Sequence, residues 1–157
     1  SCTGCTGTTG LPSESMIPIL AITGAAILTG IAAAHVLWAF GNRIRPSVVI
    51  PTHPDGSAVL APGRGITLVV ALLLLTAAFL LIERGGVGPG LLAKPWRAIG
   101  AGGVAVVMFL RGIGDFRYVG LFKRERQSPF ARLDTRLYTP LVLLLALLTG
   151  IVALRGS

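Results

Sequence analysis

The sequence predicts an all-α, polytopic membrane protein: a four-transmembrane-helix bundle with a proline-rich structured loop between helices 1 and 2. Three observations predict it. Of 157 residues, 53% are hydrophobic and only 13% charged, too little polar surface to cover a water-soluble domain. Apolar runs recur four times along the chain, each near the length of about 20 residues that carries a helix across a hydrocarbon core. The basic residues gather between those runs, the pattern of loops retained on one side of a bilayer.

Residues 1–15, SCTGCTGTTGLPSES, open with ten residues drawn only from Ser, Cys, Thr and Gly and read as a disordered N-terminal extension. Cys2 and Cys5 form a C-x-x-C, a redox or metal pair when folded, but no histidine or second cysteine pair accompanies it. The four-helix transmembrane domain covers 16–157. Its first span, about 16–40, reads MIPILAITGAAILTGIAAAHVLWAF and contains no Asp, Glu, Lys or Arg. Residues 45–65, RPSVVIPTHPDGSAVLAPGRG, hold four prolines and a Pro-Asp-Gly turn flanked by VVI and AVL. That composition predicts a short hairpin or structured cap lying as a lid over one end of the bundle.

The second span, about 66–82, is ITLVVALLLLTAAFLLI. The third, about 96–115, has Arg97 at one end, Arg111 near the other, and a glycine-rich apolar middle. The fourth, about 138–154, is YTPLVLLLALLTGIVAL, with Pro140 near a helix start where its missing N–H costs nothing. Four spans place both termini on one side. Arg84, Lys94, Arg97 and Arg155 fall on that side. The other ten basic residues fall opposite: Arg43, Arg45 and Arg64 in the first loop, and Arg111, Arg117, Lys123, Arg124, Arg126, Arg132 and Arg136 in or beside the third. Lys and Arg in short loops are retained in the cytoplasm, so the loops 41–65 and 116–137 are expected to be cytoplasmic and both termini outside. The net charge of +8 is accounted for by that anchoring, and nucleic acid is not expected as a partner.

In lipid, small residues that let backbones approach are the main packing signal. Ala26, Gly30 and Ala34 on the first span predict one interior stripe. Ala98 and Gly102, with Ala101 and Ala105 beside them, predict another on the third, and Ala146 with Gly150 a third on the fourth. The leucine-rich second span is expected to show more surface to lipid. The same stripes also suit a homo-oligomer or a larger membrane complex.

Ionisable groups at membrane depth are costly and mark function. His35 lies six residues before Gly41, about 9 Å inside the first helix, and Arg111 five before Phe116, about 7.5 Å inside the third. The depths match, so the two meet if those helices are neighbours. Arg111 and Asp115 share a helix face at i, i+4, as do His35 and Trp38 at i, i+3, and Asp134 and Tyr138 at i, i+4. These residues predict a polar cluster of His35, Arg111, Asp115, Tyr118, Asp134 and Tyr138, with Trp38 and Arg117 beside it and His53 and Asp55 of the proline-rich loop above it. A purely structural reading competes: Arg111 neutralised by Asp115, Asp134 or Thr135 capping a helix, Trp38 and Tyr138 in an interfacial belt. Two histidines without a zinc-ligand spacing predict no metal, and no dinucleotide, phosphate-loop or haem signature predicts a cofactor.

RGIGDFRYVGLFKR followed by FARLDTRLYTPL resembles a family of small bacterial four-helix membrane proteins, domain of unknown function 3995. HVLWAFG in the first span, and PTHPDGSAV with PGRG in the first loop, resemble it too, so the likeness covers about 17–154. The resemblance implies a multi-pass protein of a bacterial cytoplasmic membrane. It brings no activity, cofactor or catalytic residue.

Three functions fit these residues. The leading one is a membrane protein of unknown activity that binds an amphipathic or anionic ligand, or a partner subunit, at the cytoplasmic end. Arg111, Arg117 and Lys123 would hold the anion, Trp38 and Tyr118 would pack on its apolar part, and His35 with Asp115 would orient it. The second is a membrane-embedded enzyme on a lipid or isoprenoid substrate, with His35 as base, Asp115 or Asp134 orienting it and Arg111 stabilising charge. The third is a small dimeric transporter, against which the scarcity of intramembrane charge on the outer side counts.

Overall fold

The computed structural model describes residues 16–41, 63–114, 118–124 and 128–156. The expected N-terminal extension with Cys2 and Cys5, and the proline-rich loop with His53 and Asp55, lie outside the described residues, as do Asp115 and Arg117. All regular structure among the described residues is helical: α1 Met16–Phe40, α2 Arg64–Arg84, α3 Lys94–Ile113, a short α4 Pro129–Leu133, a π-helical turn Asp134–Tyr138, and α5 Thr139–Arg155.

The helix ends follow from local chemistry. The missing N–H groups of Pro18, Pro95 and Pro129 fall in first turns, where those donors have no intrahelical partner. Ser128 caps α4, its hydroxyl accepting from the Ala131 N–H at 3.1 Å. This is the cap of the fourth span; Asp134 and Thr135, the expected candidates, lie inside the helical run instead, Thr135 donating to the Ala131 carbonyl. The helical run therefore starts at Pro129, nine residues before the span expected from 138. Within these added turns Asp134 is satisfied by the neighbouring loop, through Gly120 and Lys123. Pro140, without an N–H to give, sits just past the π turn, in which the Thr139 N–H reaches back five residues to the Asp134 carbonyl.

Four helical segments, of 25, 21, 20 and 27 residues, are long and apolar enough to cross a membrane. At a rise of about 1.5 Å per residue even the shortest spans about 30 Å, the thickness of a hydrocarbon core. Their outward surfaces carry Leu72, Leu75, Val106, Phe109, Leu144 and Leu147, all exposed. An apolar exterior of this extent matches lipid. The chain is a multi-pass, four-helix membrane protein.

The bundle is two antiparallel hairpins. α1 packs along α2 and α3 along α5, with lesser contacts between α2 and α3 and between α1 and α5, while α1 and α3 are diagonal and do not touch. Close approaches are made where a leucine lies over a glycine. Leu81 covers Gly24 of α1, Leu80 covers Gly100 of α3, and Leu143 covers Gly112, each so closely that a Cβ on the glycine would overlap the leucine methyls. The tight face of α1 is Ala21, Gly24, Ala25, Leu28 and Ala32, all buried. Ala26 is exposed and Gly30 has no neighbour near its Cβ position, so the expected stripe is displaced around the helix. An alanine-rich helix offers several stripes at i, i+4 spacing, and spacing alone does not choose among them. α2, expected to be the most lipid-exposed, buries Ala71, Ala77, Ala78 and Leu81 against its neighbours.

Candidate functional site

The two hairpins diverge at one end of the bundle and leave a half-open cavity of about 1020 Å3. This end holds the C-termini of α1 and α3 and the N-termini of α2 and the fourth span; we call it the Arg111 end. The walls are aliphatic over most of their length, with Ile31, Leu74, Val104, Met108 and Leu145 among them, and the lining stops at Leu80 and Gly100. Apart from Thr76, deeper on α2, the polar lining gathers at the Arg111 end: His35, Trp38, Arg111 and Tyr138.

Of the residues expected from sequence, His35 and Trp38 of α1, Arg111 of α3 and Tyr138 of the π turn thus line one cavity. They do so from helices that are diagonal rather than adjacent, so His35 and Arg111 are brought to the same space by the gap between hairpins and not by direct helix contact. The His35 Nδ1–H donates to the Ile31 carbonyl at 2.8 Å, which leaves Nε2 as an acceptor in that tautomer. Its ring rests against Trp38, centroids 4.8 Å apart. Tyr138 packs near Phe130, centroids 6.0 Å apart. Tyr118 is half-buried in the loop after α3 and is not among the cavity walls.

Asp134 is fully buried beside this cavity and is the hub of its electrostatics. Its carboxylate accepts from Lys123 Nζ at 2.7 Å, the Gly120 N–H at 3.0 Å, Thr139 Oγ1 at 3.0 Å and Arg111 Nη2 at 3.2 Å. Arg111, expected to pair with Asp115 on its own helix, has Asp134 of the fourth span as its partner among the described residues. The π turn sits at the position where Asp134 meets both α3 and the loop. Loop 118–124 is held over it by backbone geometry: Gly120 at φ 91° turns its N–H onto the carboxylate, and the Leu121 N–H bonds back to the Gly112 carbonyl.

Two cations, Arg111 and Lys123, share the Asp134 carboxylate. Lys123 is buried, its side chain 2% exposed, while Arg111 keeps 37% exposure at the cavity wall. Arg111 Nη1 is buried with no hydrogen-bond acceptor among the described residues. A charged donor left without an acceptor in an apolar surround is relieved by an anion. As for base catalysis, all recorded bonds of Asp134 go to Arg111, Lys123, Gly120 and Thr139; the group orienting His35 is a backbone carbonyl.

The opposite end has a polar centre that sequence reading missed. Glu83, buried at the end of α2, accepts from the Gly90 N–H at 2.9 Å and the Leu92 N–H at 3.2 Å, and lies 3.6 Å from Arg97 Nε. Gly88 passes so near that a Cβ there would lie 2.5 Å from Glu83 Oε1. The signal was available in ERGGVGPG, an acid followed by glycines whose N–H groups can close on it. Arg84 bonds the Ala153 carbonyl of α5 through Nε and Nη2. These contacts tie the loop and helix ends together beyond the floor of the cavity.

The chain belongs to the family described as Protein of unknown function (DUF3995), whose model matches residues 28–149. No curated protein and no solved structure matches it.

Proposed function

We propose that this protein binds an anionic amphiphile from the surrounding membrane, the apolar part in the cavity between the hairpins and the anionic group at Arg111. The observation that supports this reading is the pairing of a cavity walled by aliphatic side chains with Arg111 at its open end, whose buried Nη1 meets no hydrogen-bond acceptor among the described residues. An apolar ligand alone leaves that donor unmet, and a small soluble anion leaves the apolar volume unfilled; an amphiphile answers both. Trp38, Tyr138 and the His35 ring flank the level at which the head meets the chain, where amphipathic rings are favoured. The reading places the protein in a bacterial cytoplasmic membrane with the Arg111 end facing the cytoplasm, supported by the sequence, in which ten of the fourteen basic residues fall in or beside the segments that join α1 to α2 and α3 to the fourth span.

The test is quantification of lipids that accompany the protein purified in a neutral detergent. About one anionic amphiphile per chain is expected in the wild type, falling at least ten-fold in Arg111→Gln. Equal anionic lipid in both proteins contradicts the reading. Orientation is tested by labelling Gly63→Cys and Leu91→Cys in a background with Cys2 and Cys5 replaced by serine. Only Leu91→Cys should react with an impermeant maleimide added outside intact cells.

A further inference from the structure

We infer that the anionic amphiphile carries an alcohol O–H beside its anionic group, given to His35 Nε2 on one wall of the cavity while Arg111 Nη1 takes the anionic oxygen on the other. This inference rests on the proposed binding of an anionic amphiphile at Arg111 and adds a hydrogen-donating group to its head.

The tautomer of His35 comes first. The Ile31 carbonyl can only accept, so its 2.8 Å contact with His35 Nδ1 places the proton of the neutral ring on Nδ1 and leaves Nε2 a bare acceptor. Nδ1 is turned back onto the backbone of α1. The far edge of the ring, with Nε2, is therefore the part that projects from the helix, and the residue lines the cavity. Trp38 rests against the same ring, centroids 4.8 Å apart and planes inclined by 50°. The imidazole is held from two sides, by a carbonyl of its own helix and by the indole, and its free nitrogen has a fixed direction.

The missing partner comes next. Among the described residues no donor meets His35 Nε2 and no acceptor meets the buried Arg111 Nη1. Thr76, the polar residue deeper in the cavity, already gives its hydroxyl proton to the Leu72 carbonyl at 3.0 Å. The two unmet groups have opposite needs. They stand on α1 and α3, which do not touch, and they line one cavity, so a group lying between the hairpins can reach both. An alkyl chain serves neither. A plain oxyanion serves Arg111 but turns lone pairs toward the lone pair of Nε2, which leaves a polar atom without a partner in an apolar surround. An oxyanion with a hydroxyl beside it serves both, accepting from Nη1 and donating to Nε2. Two kinds of amphiphile present that chemistry: a phosphodiester with a polyol head, its hydroxyl beyond the phosphate, and an acid hydroxylated on the chain side of its carboxylate.

The experiment compares pairs of probes that differ in the hydroxyl and not in charge, their binding to the full chain in neutral detergent being read by native mass spectrometry. One pair is dioleoyl phosphatidylglycerol and dioleoyl phosphatidylpropanol. The other is 3-hydroxypalmitate and palmitate, at about pH 9, where both carboxylates are ionised. In the wild type the hydroxylated member of at least one pair should bind about five- to hundred-fold more tightly, the range for leaving a buried acceptor without its donor. A preference within the first pair identifies a polyol head, and one within the second a hydroxylated acid. His35→Phe keeps a ring beside Trp38, removes both nitrogens and breaks only a bond within one helix. It should abolish the preference while the hydroxyl-free member stays within about three-fold of its wild-type affinity. Arg111→Gln should weaken both members of the preferred pair about ten-fold or more. The inference is overturned if the preference is below about five-fold in both pairs, the result expected where a trapped water serves Nε2. A preference that survives in His35→Phe, or a His35→Phe loss equal for both members, overturns it too. In each of these cases a loss of binding in Arg111→Gln leaves the anionic-amphiphile reading standing. If no probe responds to Arg111→Gln, both fall.

Discussion

Asp134→Asn is the perturbation whose size follows most directly from the structure. The substitution keeps the shape of the side chain and removes its charge. Asp134 and its partner Lys123 are 0% and 2% exposed, so the loss is unscreened by solvent, and breaking a buried pair on one side costs about 3–5 kcal/mol. Arg111 is more than a third exposed, so its share is that of a surface pair, about 0–1 kcal/mol. The expected total is about 3–5 kcal/mol, nearly all of it the lost charge pairing with Lys123, whose ammonium keeps neutral acceptors such as the Gly120 carbonyl. Lys123→Met alone should cost less, because Asp134 retains Arg111, Gly120 and Thr139 as donors. The double variant Lys123→Met/Asp134→Asn, with no buried ammonium deprived of its counter-charge, should then resemble Lys123→Met rather than the sum of the two. Equilibrium unfolding in mixed micelles along this double-mutant cycle reads the coupling. A loss below about 1 kcal/mol for Asp134→Asn, or full additivity of the two changes, refutes the assignment of Asp134 as the buried hub.

Two further outcomes follow. Glu83→Gln keeps one acceptor oxygen but loses the charge that draws the Gly90 and Leu92 N–H groups and Arg97. Amide exchange at Gly90 and Leu92 should quicken by about ten-fold or more, as expected for a lost charge-assisted bond of about 1.5–3 kcal/mol, and unchanged exchange would count against the latch. Gly120→Ala places a Cβ at φ 91° against the Ile113 carbonyl, a left-handed conformation that costs about 1–2 kcal/mol before any overlap. Stability should fall by at least that much, and the Lys123 ammonium should become reactive to amine reagents as the loop shifts.

What could be read in advance depended on whether a property was local. The four spans follow from hydropathy and length, since nothing but a helix satisfies its own backbone across lipid, whereas the matching depths expected for His35 and Arg111 shift, because α3 ends at Ile113, only two residues past Arg111, and α1 at Phe40, five past His35. Which residues pair across helices did not. Arg111 and Asp115 are four apart on one helix, and that local pairing was expected; the partner found is Asp134, twenty-three residues away, delivered by a π turn that composition does not announce. The helix that carries the fourth span begins earlier than the apolar run, at Pro129, because Asp134 reads as a helix stop until Lys123 and Arg111 are seen to pair with it. Lys123, expected among the anion-holding residues, is instead buried against Asp134, and only that burial separates it from Arg124 beside it. The cavity depends on α1 and α3 being diagonal, a relation set by the leucine-over-glycine contacts of Leu81 with Gly24 and Leu80 with Gly100, which no spacing within one helix reveals.

Trp38, on the cavity wall beside His35, reports occupancy directly. In a Trp96→Phe background, titrating detergent-solubilised protein with an anionic lipid carrying brominated acyl chains should quench Trp38 fluorescence saturably at about one lipid per chain, with the midpoint rising at least ten-fold in Arg111→Gln. Quenching that grows linearly without saturation, or that is identical in the two proteins, contradicts the claim that Arg111 holds an anionic amphiphile in this cavity.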